Sequence, residues 1–231
     1  MPRENYQRRL DDLRRDVVSM GDLVLDRYDA ALDAAETGDA DLAREVIRGD
    51  HEVNDRYLEL EDDCTELLAL QQPVAGDLRL ITASFKIITD LERVADLATN
   101  LAGYGTSETG GVHPAVDLRE IGTAAGEMVA DAVAAYESAD PEACRAVAER
   151  DETLDERCRI ASESVVRELL AAETARRTTD PSPDSGALEV ELDDVSRALL
   201  TVRDLERVGD HAVNVAARTL YMIENDDELI Y

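Results

Sequence analysis

Lysine is almost missing from this chain. Of 24 basic residues among 231 only Lys86 is a lysine, and 53 acids leave a formal charge of −29. Such a surface repels nucleic acid and anionic lipid, and the Lys and Arg clusters that phosphate-backbone contacts need are absent, so no direct nucleic-acid binding is expected. An acidic coat of this kind resembles proteins of salt-loving organisms, where ionic strength screens the self-repulsion. Aromatics are scarce too, with one Phe and no Trp. Together with abundant Ala, Leu and Val, that favours helices packed through small side chains over a sandwich or barrel. There is no CxxC, and Cys64, Cys144 and Cys158 make no even framework; buried thiols in a reduced interior are expected, and no zinc ribbon. No uninterrupted run of roughly 18 apolar residues occurs, and "MPRENYQRRL" carries no apolar leader, so the expectation is a soluble, cytoplasmic chain. A P-loop, a Rossmann fingerprint and a GxSxG elbow are all missing, which argues against an enzyme.

What is present is helical periodicity with a few clear breaks. A first helix is predicted from about Tyr6 to Glu36, stopping at "ETGDAD", where Gly38 can end one helix and Asp39 cap the next. A second runs to "LALQQPVAGD", where Pro73 and Gly76 are expected to force a turn, and a third continues to Gly103. "GYGTSETGGVHP" reads as a linker. A fourth runs from about Ala115 to Glu137, with Asp140 and Pro141 in a cap and first-turn arrangement. The fifth reaches about Arg177, "TTDPSPDSG" is a loop, and the sixth runs from Leu188 to Ile223.

The chain repeats itself. "DLERVADLATN" from Asp90 and "DLERVGDHAVN" from Asp204 agree at eight of eleven positions, 114 residues apart. Asp39, Arg44, Asp50, Val53 and Asn54 fall on Asp140, Arg145, Asp151, Leu154 and Asp155 at an offset of 101. The fold class expected is all-α, with two tandem, sequence-related three-helix bundles at 1–104 and 115–231 joined by a linker at 105–114. Each unit is large enough for its own core.

On the third helix, at 100° per residue, Ile88, Leu91, Ala95, Ala98 and Ala102 mark the apolar face, with Ile81 and Phe85 at its edge. Glu92 lies about 20° from the line of Phe85, and Asp96 and Asn100 continue it. Arg79, Arg93 and Leu97 are expected to point further toward solvent. On the second helix Leu42, Val46, Val53, Tyr57, Leu60 and Cys64 form the core face, flanked by Asp50 and Asn54 on a line that also carries Ile47 and Leu58. Asp151 and Asp155 take the same places in the second half.

Acids four residues apart are cheap here, since chance supplies roughly a dozen such pairs. The weight rests on position beside the core, the accompanying Asn, and recurrence. Two carboxylates at this spacing repel by about 0.2 to 0.5 kcal/mol when exposed. A cation held by Glu92, Asp96 and Asn100 on one helix and Asp50 and Asn54 on its neighbour would offset that, and oxygen ligands suit Mg, Mn, Ca or Fe. Pairing of the acids with Arg93 or Arg207 is the alternative. His211 and His51, each rotated about 100° from the preceding Asp, are expected as surface or capping residues, and His113 sits in the linker. Arg79 is expected to hold a helix end rather than contact a partner.

"LALQQPVAGDLRLITASFKIITDLERVADLATN", with "LERVGDHAVN" in the second half, resembles the PhoU family of phosphate-transport accessory and regulatory proteins, over about Tyr6 to Tyr221. The chain looks like a haloarchaeal-like acidic member. The resemblance implies tandem three-helix bundles, some of which carry multinuclear iron or zinc sites on E(D)xxxD motifs. Carried over, it implies Glu92 and Asp96 with Asp50 in the first bundle, and Glu206 and Asp210 with Asp151 and Asp155 in the second, Asn214 matching Asn100. Asn54 stands where a carboxylate would be expected, so the first site should be weaker or hold fewer ions. The metal implied is Fe, Mn, Mg or Zn. The function implied is regulation of phosphate uptake without catalysis. Its partners would be the phosphate ABC transporter's ATPase subunit and, in many bacteria, a sensor histidine kinase, reached from the cytoplasm by a homodimer that meets the membrane only through them. An excess of acids disfavours direct phosphate binding unless a bound cation supplies the positive charge. A metal-binding or iron-handling bundle and a plain helical scaffold are the alternatives; against the former, no ExxH pair of the kind di-iron bundles use is present.

Overall fold

A computed structural model describes residues 3–70, 74–105, 112–179 and 185–229. These form six helices and, among the described residues, no strand: α1 Arg3–Thr37, α2 Ala40–Leu70, α3 Ala75–Tyr104, α4 Leu118–Ser138, α5 Pro141–Thr179 and α6 Ser185–Glu224. In α1 the buried Tyr6, Leu10, Leu13, Val17, Met20 and Val24 recur every three or four residues, a stripe that must face a neighbouring helix.

The breaks obey the duplicated punctuation. Gly38 adopts φ 68° after α1, and its counterpart Ala139 adopts φ 51° after α4, so the same left-handed cap is built once with glycine and once without. The next residue caps the following helix in each copy. The Asp39 carboxylate accepts from Asp41 N and Leu42 N at 2.9 and 3.1 Å, and that of Asp140 from Glu142 N and Ala143 N at 2.9 and 3.2 Å.

Some boundaries differ from expectation. Gly76 breaks nothing and is the second residue of α3. The fourth helix starts at Leu118 rather than near Ala115, because Asp117 caps it by accepting from Glu120 N at 2.9 Å. The sixth starts at Ser185, three residues earlier than predicted. Pro73, Pro181, Pro183 and linker residues 106–111 lie outside the described residues.

Helices α1, α2 and α3 pack on one another, as do α4, α5 and α6, while α1 also packs on α4 and α3 on α6. Both crossings are antiparallel and related by the repeat. Gly21 sits against Val133 and its counterpart Gly122 against Leu32, where an added methyl would stand 2.9 and 2.6 Å from those side chains. Only a missing side chain lets α1 and α4 approach this closely. Tyr28 donates to Gly122 O at 2.9 Å across the same contact. The buried apolar residues of both halves consequently merge into one continuous core, instead of each repeat enclosing its own.

The α3–α6 seam contains what the helical wheel misplaced. Leu97, expected toward solvent, is 2% exposed. Its counterpart His211 is neither a surface nor a capping residue; it is half-buried, its Nδ1 2.9 Å from Asp90 Oδ1. Arg79, part-buried, holds a helix end as expected, its Nε donating to Met222 O at 3.3 Å in the last turn of α6. A wheel drawn for one bundle has one buried stripe, whereas α3 and α6 each have a second, facing the other repeat.

Candidate metal centres

The two repeated sets of acids lie where α2 meets α3 and where α5 meets α6. Leu154 on α5 lies against Gly209 of α6, and Val53 and Ala95 hold the corresponding positions of the first repeat. A methyl on Gly209 would strike Leu154 and come within 3.3 Å of Asp151 Oδ1. The larger leucine is therefore matched by the smaller residue opposite, and Asp151 is brought against α6.

The second cluster comprises Asp151, Asp155, Glu206 and Asp210. Burial, compounded by the charges of Asp155, Asp210 and Glu206, pushes the Asp151 carboxyl up to about 6. Burial and the Asp155 and Asp210 charges raise Glu206. Asp210 is raised by burial and by Asp155, opposed by His211 and Arg207. The Asp151 Oδ1 atom is buried with no hydrogen-bond partner. An orphaned carboxylate oxygen among three other acids is the donor chemistry a hard cation takes. Among the described residues no three His, Cys, Asp or Glu side chains already converge on one point, so coordination requires these carboxylates to rotate inward.

The first cluster is partly neutralised. Asn54 turns its amide on Asp50, donating from Nδ2 to Oδ2 at 2.8 Å. Glu92 is raised by burial and by Asp96, with Arg93 opposing and Asp50 adding. Arg93 lies over the acids, NH1 3.1 Å from Asp96 Oδ2 and Nε 3.5 Å from Glu92 Oε2. Here the ion-pair alternative is realised. In the second half Arg207 instead lies toward Asp204, at 3.9 Å.

The asparagines ending each repeated sentence do not join the clusters in the same way. Asn100 is exposed one turn beyond Asp96. Asn214 is turned into the seam, its Nδ2 donating to Asp90 Oδ1 at 3.2 Å. The leading acids of the sentence, which residue counting passed over, are seam residues. Asp90 accepts from His211 and Asn214, and Asp204, 0% exposed, accepts from Tyr104 Oη at 2.9 Å and Arg203 at 2.8 Å. Their signal was the Leu97/His211 difference, one of three inside the repeated phrase. His51 is exposed, its Nδ1 2.5 Å from Arg48 O, and the three cysteines are buried and unpaired.

The PhoU domain profile matches residues 17–104 and 118–219, which together cover most of the chain and both repeats. The chain belongs to the PhoU family. The starts of the two PhoU matches differ by 118 − 17 = 101, the offset that aligns the acids of α2 and α5. The chain is similar to the phosphate-specific transport system accessory protein PhoU homolog of Pseudomonas putida, 30% identical over 227 residues, covering 97% of this chain and 82% of that one. It is also similar to the accessory protein PhoU of Escherichia coli K12, 28% identical over 224 residues, 96% and 86% of the two chains. The crystal structure of PhoU from Pseudomonas aeruginosa superposes with a TM-score of 0.82 at 30% identity, covering 96% of this chain and all of that one. That of Streptococcus pneumoniae PhoU, at 23% identity and a TM-score of 0.78 over 96% of this chain and 98% of that one, shares the fold. Among the described residues no helix is long and apolar enough to cross a membrane.

Proposed function

We propose that this PhoU-family chain is a non-catalytic regulator of phosphate uptake, acting from the cytoplasm on the ATPase subunit of a phosphate ABC transporter when phosphate is plentiful. The observation that carries the reading is the match of both repeats to the PhoU domain, on a fold shared end to end with a PhoU crystal structure. The names of the relatives, accessory protein of a phosphate-specific transport system, support the same role. A homodimer and, where one is encoded, a sensor histidine kinase complete the set of partners.

The acid clusters have a place in this reading. Asp151, Asp155, Glu206 and Asp210 would hold a divalent or trivalent cation, with Asp50, Asn54, Glu92 and Asp96 as the poorer set. A bound cation would supply local positive charge on a protein of net −29, where phosphate or a partner's carboxylate is otherwise repelled. The orphaned Asp151 oxygen favours this over a plain scaffold.

Deleting the gene should leave phosphate uptake high under phosphate excess, and pull-down of the tagged chain should recover the transporter ATPase subunit. Normal repression of uptake in the deletion strain would refute the role. Elemental analysis of protein purified without chelator, set against a variant with Asp151, Asp155, Glu206 and Asp210 changed to Ala, tests the metal; equal and negligible contents would dismiss it.

A further inference from the structure

The chain's only lysine, Lys86, lies on a line of α3 that faces the other repeat. Arg79, Ala83, Lys86 and Asp90 share one side of α3, within about 80° at 100° per residue, and His211, Asn214, Arg218 and Met222 share one side of α6 in the same way. These two lines meet antiparallel: Asn214 Nδ2 donates to Asp90 Oδ1 at 3.2 Å, and Arg79 Nε to Met222 O at 3.3 Å. Arg218 stands between the two contacts, one turn from Asn214 and one turn from Met222, which sets it level with Ala83 and Lys86. Ala83 is small and 4% exposed, and Arg79 and Lys86 are only about 10 Å apart along α3, so three long cationic side chains share one short stretch of seam. Asp90 is the only acid on either line, and its Oδ1 already accepts from His211 and Asn214. Among the described residues no carboxylate oxygen comes within 4.0 Å of Arg79, Lys86 or Arg218. By contrast Arg27, Arg56, Arg119 and Arg145 each reach an acid on a neighbouring helix. Arg218 Nε is moreover buried with no hydrogen-bond partner. At the repeat offset of 114 the counterparts of the three cations are Asp193, Leu200 and Tyr104, so the duplicated fold does not require them. Neighbouring cations repel, and in a chain with 53 acids for 24 bases a set left without an acid calls for an anion from outside.

We propose that Arg79, Lys86 and Arg218 bind a small tetrahedral oxyanion of the phosphate class across the α3–α6 seam. A guanidinium carries five N–H donors in a fixed fork, so Arg79 keeps its terminal groups after giving Nε to Met222 O, and Arg218 has its whole fork to give. Lys86, exposed at the rim, adds a mobile point charge. Two of the cations belong to the first repeat and one to the second, so the bound anion ties the repeats together. The ion is a free one, because the buried Arg218 Nε lies beyond a group tethered to a bulky chain, and a surface of net −29 repels an acidic polypeptide. The site needs no metal and is independent of the transporter reading.

The test is titration of inorganic phosphate into the chelator-stripped full chain at constant ionic strength, read by calorimetry and by phosphorus NMR line width. Binding should saturate at one phosphate per chain and raise the melting temperature. Arg218→Gln should weaken it about tenfold or more, and Lys86→Gln, on an exposed side chain, several-fold. Arg218→Lys should recover only part of the loss, since it restores the charge without the fork. Arg167→Gln, an exposed arginine of α5 on neither line, should leave binding within about twofold. If Arg218→Gln fails to fold, Lys86→Gln decides alone. No phosphate uptake at about 10 mM, unchanged binding in Lys86→Gln, or an equal loss in Arg167→Gln overturns the proposal. Uptake that requires added Mn²⁺, or tighter binding of a phosphoserine peptide than of free phosphate, overturns it too, the first by placing the anion on a cation and the second by naming a phosphorylated partner. None of these results depends on repression of phosphate uptake in the deletion strain, so the two readings fail separately.

Discussion

Asp151 holds a carboxylate where the fold would prefer a neutral group. Its unfolded-state carboxyl ionises near 3.8 and its folded one near 6, so between those values the folded state carries the extra proton and stability falls as pH rises; above about 6 the penalty is complete. At full strength such a displacement amounts to about 3 kcal/mol, and for a half-buried group solvent screening leaves about 1 kcal/mol. Asp151→Asn should therefore raise the melting temperature of chelator-stripped protein by about 2 to 4 °C at pH 7, with the gain vanishing toward pH 4. Differential scanning calorimetry across that range checks it. A second residue offers the opposite kind of correction. Ala139 repeats the left-handed cap of Gly38 with a Cβ in place, so Ala139→Gly should stabilise by about 0.5 to 1 kcal/mol in urea unfolding, and Gly38→Ala should destabilise similarly.

Among the elements, α5 and α6 are spaced by one large and small pair. Gly209→Ala drives a methyl into Leu154 and should cost about 1 to 3 kcal/mol by overpacking. Leu154→Val alone should cost about 1 kcal/mol through the space left behind. Together they rebuild the Ala95 and Val53 combination of the first repeat, so the double variant should be more stable than the sum by at least about 1 kcal/mol, a coupling that a urea double-mutant cycle measures. The same pair was visible in the sequence as aligned positions. What was not visible was that α3 and α6 touch, because periodicity within one repeat says which face is apolar but not how many neighbours that face meets. Leu97 and His211 were misplaced for this reason. The acids at 92, 96, 206 and 210 were legible because they recur beside an apolar edge that does not depend on the other repeat.

For the molecule as a whole, one core and one strong charge set the behaviour. The ion pairs that tie helices together are made by arginines, such as Arg119 to Asp33 at 2.7 Å across α1 and α4, and Arg145 to Glu224 at 2.7 Å across α5 and α6. Exposed pairs of this kind contribute about 0 to 1 kcal/mol each and do not balance a formal −29. Raising NaCl from about 0.1 to 1 M shortens the screening length from about 10 to 3 Å, so the melting temperature should climb by several degrees. Because the buried residues of both repeats form one cluster, melting should remain a single transition in each salt, with calorimetric and van't Hoff enthalpies in agreement. Two separated transitions would show the halves to be independent.

The sequence by itself determined the six helices, their duplicated caps and the two sets of acids. Each follows from local spacing, cap chemistry or recurrence, and these act within a turn or two of helix. Only the tertiary structure decided which carboxylates are satisfied. "DLERV" is spelled identically in both halves, yet Asp90 meets an imidazole and Asp204 a tyrosine and two arginines. The imidazole and the tyrosine come from residues 121 and 100 positions away, brought opposite by antiparallel packing, whereas the two arginines are neighbours of Asp204 in sequence. Asp151 keeps a buried oxygen with no hydrogen-bond partner, because burial and the charge of neighbours are properties of the packed pair of helices and of neither helix alone.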